Sequence, residues 1–188
     1  MNARRTATGP SGCCFLERPR AAAADVPTDR AVPAALSALV TIRAASAHDL
    51  RAWAGLQGEL WPDQDHDARG HVTEALQRAD AGNFLAFGAD GTAIGFAEAT
   101  LRNDYVNGTD SSPVAFLEGW YVNAGWRGQG IGRALLSAVR QWAQAQGCSE
   151  LASDAALDNL AAQRAHAACG FAETERVVYF RMALDDDA

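Results

Sequence analysis

The chain has 188 residues, 48% hydrophobic and 21% charged, the proportions of one soluble globular domain with a tail. A formal charge of -7 without any Lys or Arg cluster speaks against nucleic acid as a partner and favours a cationic ligand. No stretch approaches the ~20 apolar residues that span a bilayer, and Cys13, Cys14, Cys148 and Cys169 lack zinc-ligand spacing, so neither membrane nor metal is expected.

In chain order, residues 1–39 carry four of the six prolines and five Arg against Glu17, Asp25 and Asp29, with no helical or alternating pattern until their last few positions. That composition predicts a disordered extension, with the acidity residing in the domain that follows. The apolar residues 31–40 lie late, contain Pro33 and run into strand-like sequence, so export is not expected. Cys148 and Cys169 read as reduced thiols, which suits the cytoplasm.

From residue 40 the punctuation becomes regular. A strand is predicted over 40–44, followed by a helix start at Ser46, with Asp49 as its third helical residue. Trp53, Leu56 and Leu60 recur at helical spacing until Pro62, and a second helix is predicted over 67–79. Strands over 83–89 and 93–102 form a hairpin around Asp90-Gly91. A polar loop over 103–113 leads to an apolar strand over 114–122 and a glycine-punctuated turn. The next helix carries Ile131, Leu135, Val139 and Trp142 on one face and ends near Gly147. A strand over 150–153, a helix over 158–169 and a strand pair within 171–184 complete a mixed α/β (α+β) domain over 40–184, and residues 185–188 form an acidic tail.

The chemistry concentrates first in Arg127-Gly128-Gln129-Gly130-Ile131-Gly132, between a buried strand and an amphipathic helix. Glycines there let backbone approach a ligand closely, and the N–H groups and dipole of a helix N-terminus attract phosphate. The spacing is neither that of a P-loop nor that of a dinucleotide fold. The hexapeptide alone allows a pyrophosphate cradle or a plain glycine-rich turn.

This Arg-x-x-Gly-x-Gly turn resembles the acetyl-coenzyme A motif of the GNAT superfamily of N-acetyltransferases, and Asn159-x-x-Ala162 with Gly170-Phe171 resembles that superfamily's following segment. The resemblance implies the GNAT fold, a largely antiparallel mixed sheet splayed between its fourth and fifth strands and flanked by about four helices, with the thioester in the opening. It also implies a bulge in the fourth strand, which Gly119 suits. Leu60-Trp-Pro-Asp63, Tyr105-Val-Asn-Gly-Thr109, the run from Ser112 to Gly119, Ala152-Ser-Asp154 and the run from Glu173 to Phe180 are similar to one branch of the aminoglycoside 6'-N-acetyltransferases, a likeness covering 40–184. It implies that Trp61, Tyr105, Glu118, Asp154 and Glu175 contact an aminoglycoside, that Asn159 and the Tyr121-Val122 backbone contact acetyl-coenzyme A, and that the protein is a homodimer. Rival readings are a GNAT acting on another small amine or a protein N-terminus, and a module that binds acetyl-coenzyme A or drug without turnover.

Several of these residues also stand out physically. Alternation along 114–122 puts Glu118 on a face with Val114, Phe116 and Trp120, an expensive place for a carboxylate without a polar partner. That partner is a cationic amine, or else a neighbouring Arg, or a bulge displaces the side chain. Asp154 reads either as a substrate carboxylate or as a helix-entry hydrogen-bonding group, and Glu175 as a substrate contact or a solvated strand charge. Trp61 is either core at a helix end or, beside Asp63 and Asp65, an apolar platform for an ammonium-bearing sugar. For direct acetyl transfer, Glu118 is the first candidate to accept the amine proton, Asp154 the second, and the Val122 N–H the oxyanion donor. Four residues before Gly170, where many superfamily members carry a Tyr acid, stands His166. The acid is then His166, Tyr179 or water, and a structural role for His166 is the alternative.

Overall fold

The strand expected over 114–122 forms with those bounds in the computed structural model of the chain, which describes residues 40–62 and 67–182. The order is β1 (Thr41–Ala44), a 3-10 turn (Ala47–Asp49), α1 (Leu50–Leu60), α2 (Ala68–Gln77), β2 (Ala81–Phe87), β3 (Ala93–Arg102), β4 (Val114–Val122), a second 3-10 turn (Ala124–Trp126), α3 (Ile131–Ala145), β5 (Leu151–Ser153) and α4 (Leu160–Ala168). The expected helix start at Ser46 is a capping turn in which the Ser46 N–H and hydroxyl donate to the Asp49 carboxylate at 2.8 and 2.6 Å. Both terminal nitrogens of Arg43 reach the same carboxylate at 2.7 Å, tying β1 to the entry of α1.

The five strands form one sheet in sequence order, antiparallel except for the parallel pair β4 and β5. β5 is short. It pairs only with Ala115, Phe116 and Leu117, so β4 continues from Glu118 to Val122 with no strand paired on that side among the described residues, which is the expected splay.

Two apolar layers clamp the sheet. On one face α3 lays Ile131, Leu135, Leu136 and Val139 on Ala97, Leu117, Trp120 and Val122. On the other, Trp53, Leu56 and Leu60 of α1 and Val72 of α2 pack on Leu85, Phe96 and Tyr121. Trp53 is fully buried; burial of that size is worth a few kcal/mol per side chain, which fixes α1 against the sheet.

A bulge interrupts β4. Glu98 of β3 faces Gly119 and the next residue, Ala99, faces Leu117, so Glu118 is the extra residue. This corrects the simple alternation expected for Glu118. Trp120 does not share the face of Phe116 but packs with Leu117 under α3, because one inserted residue reverses the side-chain parity beyond it.

The expected final strand pair within 171–184 is also corrected: no strand forms over 171–182. Val178, Tyr179, Phe180 and Met182 are 74–92% exposed. β-propensity alone does not make a strand, since its backbone groups need a partner edge and its apolar face needs a layer to cover it. The expected extension over 1–39, the tail over 185–188, and Asp63 and Asp65 lie outside the described residues.

Candidate active site

The glycine turn delivers an open helix N-terminus. Gly130 caps α3 at φ 83°, ψ -2°, a left-handed conformation unfavourable for any residue with a Cβ, and it offers no capping side chain. The first-turn N–H groups therefore have no protein acceptor from the cap residue and face outward as anion donors. Gly128 also has positive φ, with open space where a Cβ would stand. Gly132 also has a packing role: a Cβ there would sit 2.8 Å from the Trp120 indole, whose Nε1 donates to the Gly132 carbonyl at 3.2 Å. It is needed for helix-to-sheet packing. The Ile131 side chain is likewise buried in the core, leaving only its backbone to a ligand.

The turn is tied to the splayed strand by Arg127, whose Nε donates to the Val122 carbonyl at 2.8 Å and whose guanidinium lies 5.5 Å from the Tyr121 ring centre. Gln129 donates back to the Gly125 carbonyl at 3.2 Å. The Asn123 N–H donates to the Ile94 carbonyl on β3 at 2.8 Å. Backbone groups alternate sides along a strand, so those of Val122 turn away from β3, toward the side where β5 has ended. The N–H and C=O of Tyr121 turn instead toward Phe96 on β3. Within the expected Tyr121-Val122 pair, then, the groups facing the opening are those of Val122. The Tyr121 hydroxyl donates to Glu59 at 2.8 Å.

On the other wall of the opening, Asn159 caps α4 by accepting from the Ala162 N–H at 3.0 Å, which leaves its Nδ2 as the donor it can offer a ligand. Asp154 follows β5 and is partly buried. His166 lies inside, its ring edge-on to Trp120 and Phe171 at 5.5 and 5.1 Å. Its Nδ1 donates to the Ala162 carbonyl at 2.7 Å, and its Nε2 lies 3.0 Å from the Ser153 hydroxyl. Burial lowers its pKa, so it is a neutral imidazole with both nitrogens engaged by protein.

Glu118 meets two of the alternatives read from the sequence at once: it stands in the bulge, and an Arg satisfies it. Thr100 donates to it at 2.6 Å and Arg102 Nη2 reaches both its oxygens at 2.9 and 3.0 Å, while the Arg102 guanidinium stacks 3.5 Å from the Phe116 ring centre. The carboxylate remains 24% exposed. Beside it, Gly119 is closely packed: a Cβ there would meet Trp61 at 3.0 Å, Phe96 at 3.1 Å and a Glu98 oxygen at 3.5 Å. Trp61 therefore stands over the bulge, tilted against Phe96 at 6.3 Å.

Glu98 is a site residue missed in the sequence. It is 3% exposed, and its Oε1 accepts from Trp53 Nε1 and Gln57 Nε2, both at 2.5 Å. Its Oε2 lies 3.6 Å from Nε2 of half-exposed His71, whose pKa is raised chiefly by Glu98. The signal was present: a lone carboxylate inside the apolar run of β3 poses the same question that Glu118 poses in β4. His71 carried no pattern of its own.

The remaining expected residues are exposed. Tyr105 is 77% exposed in the loop between β3 and β4, and Glu175 and Tyr179 are exposed on the C-terminal segment. That segment does reach the loop, since Thr174 packs so closely on Gly108 (φ 75°) that no Cβ fits there. Among the described residues no group of three His, Cys, Asp or Glu side chains is placed to hold a metal, and no helix is long and apolar enough to cross a membrane.

A mixed five-stranded sheet open between β4 and β5, with a left-handed glycine cap on the helix that follows β4, defines a class of enzyme, and the acetyltransferase (GNAT) family profile matches residues 47–171: the chain belongs to that family. Within it, the chain is 57% identical over 148 residues to the aminoglycoside N(6')-acetyltransferase type 1 of Stenotrophomonas maltophilia, covering 79% of this chain and 96% of that protein. It is 52% identical over 139 residues to the enzyme of the same name from Serratia marcescens, covering 73% and 95%. Among solved structures, AAC(6')-Iy in complex with the bisubstrate analogue CoA-S-monomethyl-acetylneamine superposes with a TM-score of 0.73 at 45% identity, covering 77% of this chain and 98% of that one. AAC(6')-Ih from Acinetobacter baumannii superposes with 0.74 at 41% identity, covering 78% and 99%.

Proposed function

We propose that this protein transfers the acetyl group of acetyl-coenzyme A to the 6'-amino group of aminoglycoside antibiotics, and so confers resistance to them. The observation that carries this reading is the juxtaposition across β4 of an anion-binding helix cap and a partly exposed carboxylate beside an aromatic platform, in a chain whose full-length relatives carry that name.

The co-substrate supplies an activated acetyl thioester. Gly128, Gly130 and the N–H groups of the first turn of α3 hold its pyrophosphate, Arg127 and Gln129 brace the turn, and Asn159 and the Val122 backbone line its arm. The Val122 N–H, facing the splay, donates to the oxygen that becomes negative in the transition state. Trp61 and Tyr105 offer aromatic faces to the sugar, and Glu118, Asp154 and Glu175 bind its ammonium groups. An amine with a reference pKa near 10 is mostly protonated at neutral pH, so Glu118, ahead of Asp154, also accepts or relays the proton whose loss makes it nucleophilic. His166 serves as a structural histidine, which leaves water or Tyr179 to protonate the departing thiolate.

The protein acts as a homodimer. The exposed apolar segment carrying Val178, Tyr179, Phe180 and Met182 supports this reading, as does the sheet's end in a three-residue strand that pairs only with β4 among the described residues. The working compartment is the cytoplasm, in keeping with the unpaired thiols of Cys148 and Cys169. The test is thiol release from acetyl-coenzyme A with kanamycin beside its 6'-hydroxyl analogue. Turnover with the first and not the second supports 6'-N-acetylation, and no turnover with any aminoglycoside despite acetyl-coenzyme A binding overturns it.

A further inference from the structure

Acylating an ammonium nitrogen removes two protons from it: one ends on the coenzyme A sulfur, and the other must leave for solvent. Glu118 stands at the first transfer in the proposed reaction, with its oxygens engaged by Arg102 and Thr100, and Thr100 lies two residues along β3 from Glu98 on the same face of the sheet. We propose that His71, oriented and charge-balanced by buried Glu98, is the carrier that takes this proton from Glu118 or an adjacent water and delivers it to solvent. This rests on the acetyl transfer proposed above. His71 carries the proton, and Glu98 is a positioning residue.

The geometry runs from interior to surface. A carboxylate at 4% side-chain exposure is costly unless its lone pairs are occupied. Trp53 and Gln57 occupy Oε1, and Oε2 faces His71 at 3.6 Å and lies beside Gly119, the residue that follows Glu118 in the bulge. His71 is 53% exposed, so its ring reaches both the Glu98 carboxylate and bulk water. The acceptor surplus extends to Gln57, whose buried Oε1 has no partner among the described residues. A carboxylate behind an imidazole fixes its tautomer and stabilises its protonated form, the arrangement that makes histidine an effective proton carrier.

The charged groups acting on His71 are Glu98 from β3, Glu118 from β4 and Glu74 from its own helix, all of which raise its pKa. Arg102 is paired with Glu118 at its far side, and Arg78 also acts on Glu118. The net field favours protonation, which suits a carrier that must accept a proton near neutral pH.

The experiment is the pH profile of kcat and of KM for kanamycin and acetyl-coenzyme A in wild type, His71→Gln and Glu98→Gln, with the His71 ring titrated by NMR in wild type and Glu98→Gln. For His71→Gln, an exposed change that spares the fold, kcat is expected to fall on the order of 10²-fold below pH 8 with both KM values little changed, and the acid limb of the profile to disappear. In Glu98→Gln the acid limb and the NMR titration should both move down toward the ordinary imidazole value. A wild-type kcat and acid limb in His71→Gln would overturn the proton route while leaving the acetyl transfer standing. Lower thermal stability in both variants with an unmoved acid limb would overturn it equally, making the pair structural. A wild type that acetylates no aminoglycoside would overturn the function and the route together.

Discussion

The Glu118 carboxylate has two partners in the free protein: Arg102 balances its charge and the Thr100 hydroxyl donates to it. In the proposed reaction an arriving ammonium adds a second cation to a group already held in place. Replacing it with Gln keeps the shape and removes the charge. For Glu118→Gln we expect kcat/KM for kanamycin to fall by about 10² to 10⁴, the range of general-base loss, while the KM for acetyl-coenzyme A stays unchanged; steady-state thiol release with each substrate varied measures both. His166 gives a pH expectation of opposite character. Its folded-state pKa is depressed by burial, so the unfolded chain binds a proton that the folded chain refuses, and stability is complete above the ordinary imidazole value and declines as pH falls below it. Urea unfolding between pH 5 and 8 should show that decline in wild type and a shallower one in His166→Gln, with kcat of the variant little changed at any pH. Glu118 was legible in the sequence because a charge inside an apolar strand demands a reason. Which partner satisfied it was not, since Arg102 lies sixteen residues away on another strand.

At the scale of elements, the turn before α3 and the bulge in β4 do the positioning. The turn was legible as a glycine turn, and both Gly128 and Gly130 adopt positive φ, while its reading as a cofactor cradle came from the family resemblance. The role of Gly132 was not, since only the fold brings Trp120 against it. Gly130→Ala forces a Cβ into a left-handed conformation at a cost of about 1–2 kcal/mol. We expect the KM for acetyl-coenzyme A to rise roughly tenfold while the KM for kanamycin is unaffected, which isothermal titration with coenzyme A would check independently. The bulge was foreseen from Gly119, but its consequence beyond it was misread. Strict alternation carried Trp120 to the wrong face because parity depends on the inserted residue, Glu118, and insertion is visible only in the register with β3.

At the scale of the whole molecule, the C-terminal segment is where whole expected elements and the fold part company. Residues 171–182 have the composition of strands and no strand partner in a single chain. If a second copy supplies that partner, removing the segment should abolish association. We expect a chain ending at Gly170 to sediment as a monomer where the full chain sediments as a dimer. It should also bind acetyl-coenzyme A while losing most affinity for kanamycin, since Glu175 goes with it; sedimentation velocity and titration of each ligand give the two readings.

The sequence by itself determined what is local or periodic. The bounds of β4, the amphipathic α3, the hairpin at Asp90-Gly91 and the glycine turn before α3 follow from side-chain spacing and from glycine conformations that no other residue adopts cheaply. The sheet order and the opening between β4 and β5 were expected from family resemblance and are carried by where β5 stops. Only the tertiary structure decided the contacts between elements distant in sequence: Arg102 on Glu118, Trp120 on Gly132, and the nest of Trp53, Gln57 and His71 around Glu98. These pairings depend on register, bulge and helix packing together, and a buried charge reveals only that it must have a partner, never which one the fold will bring.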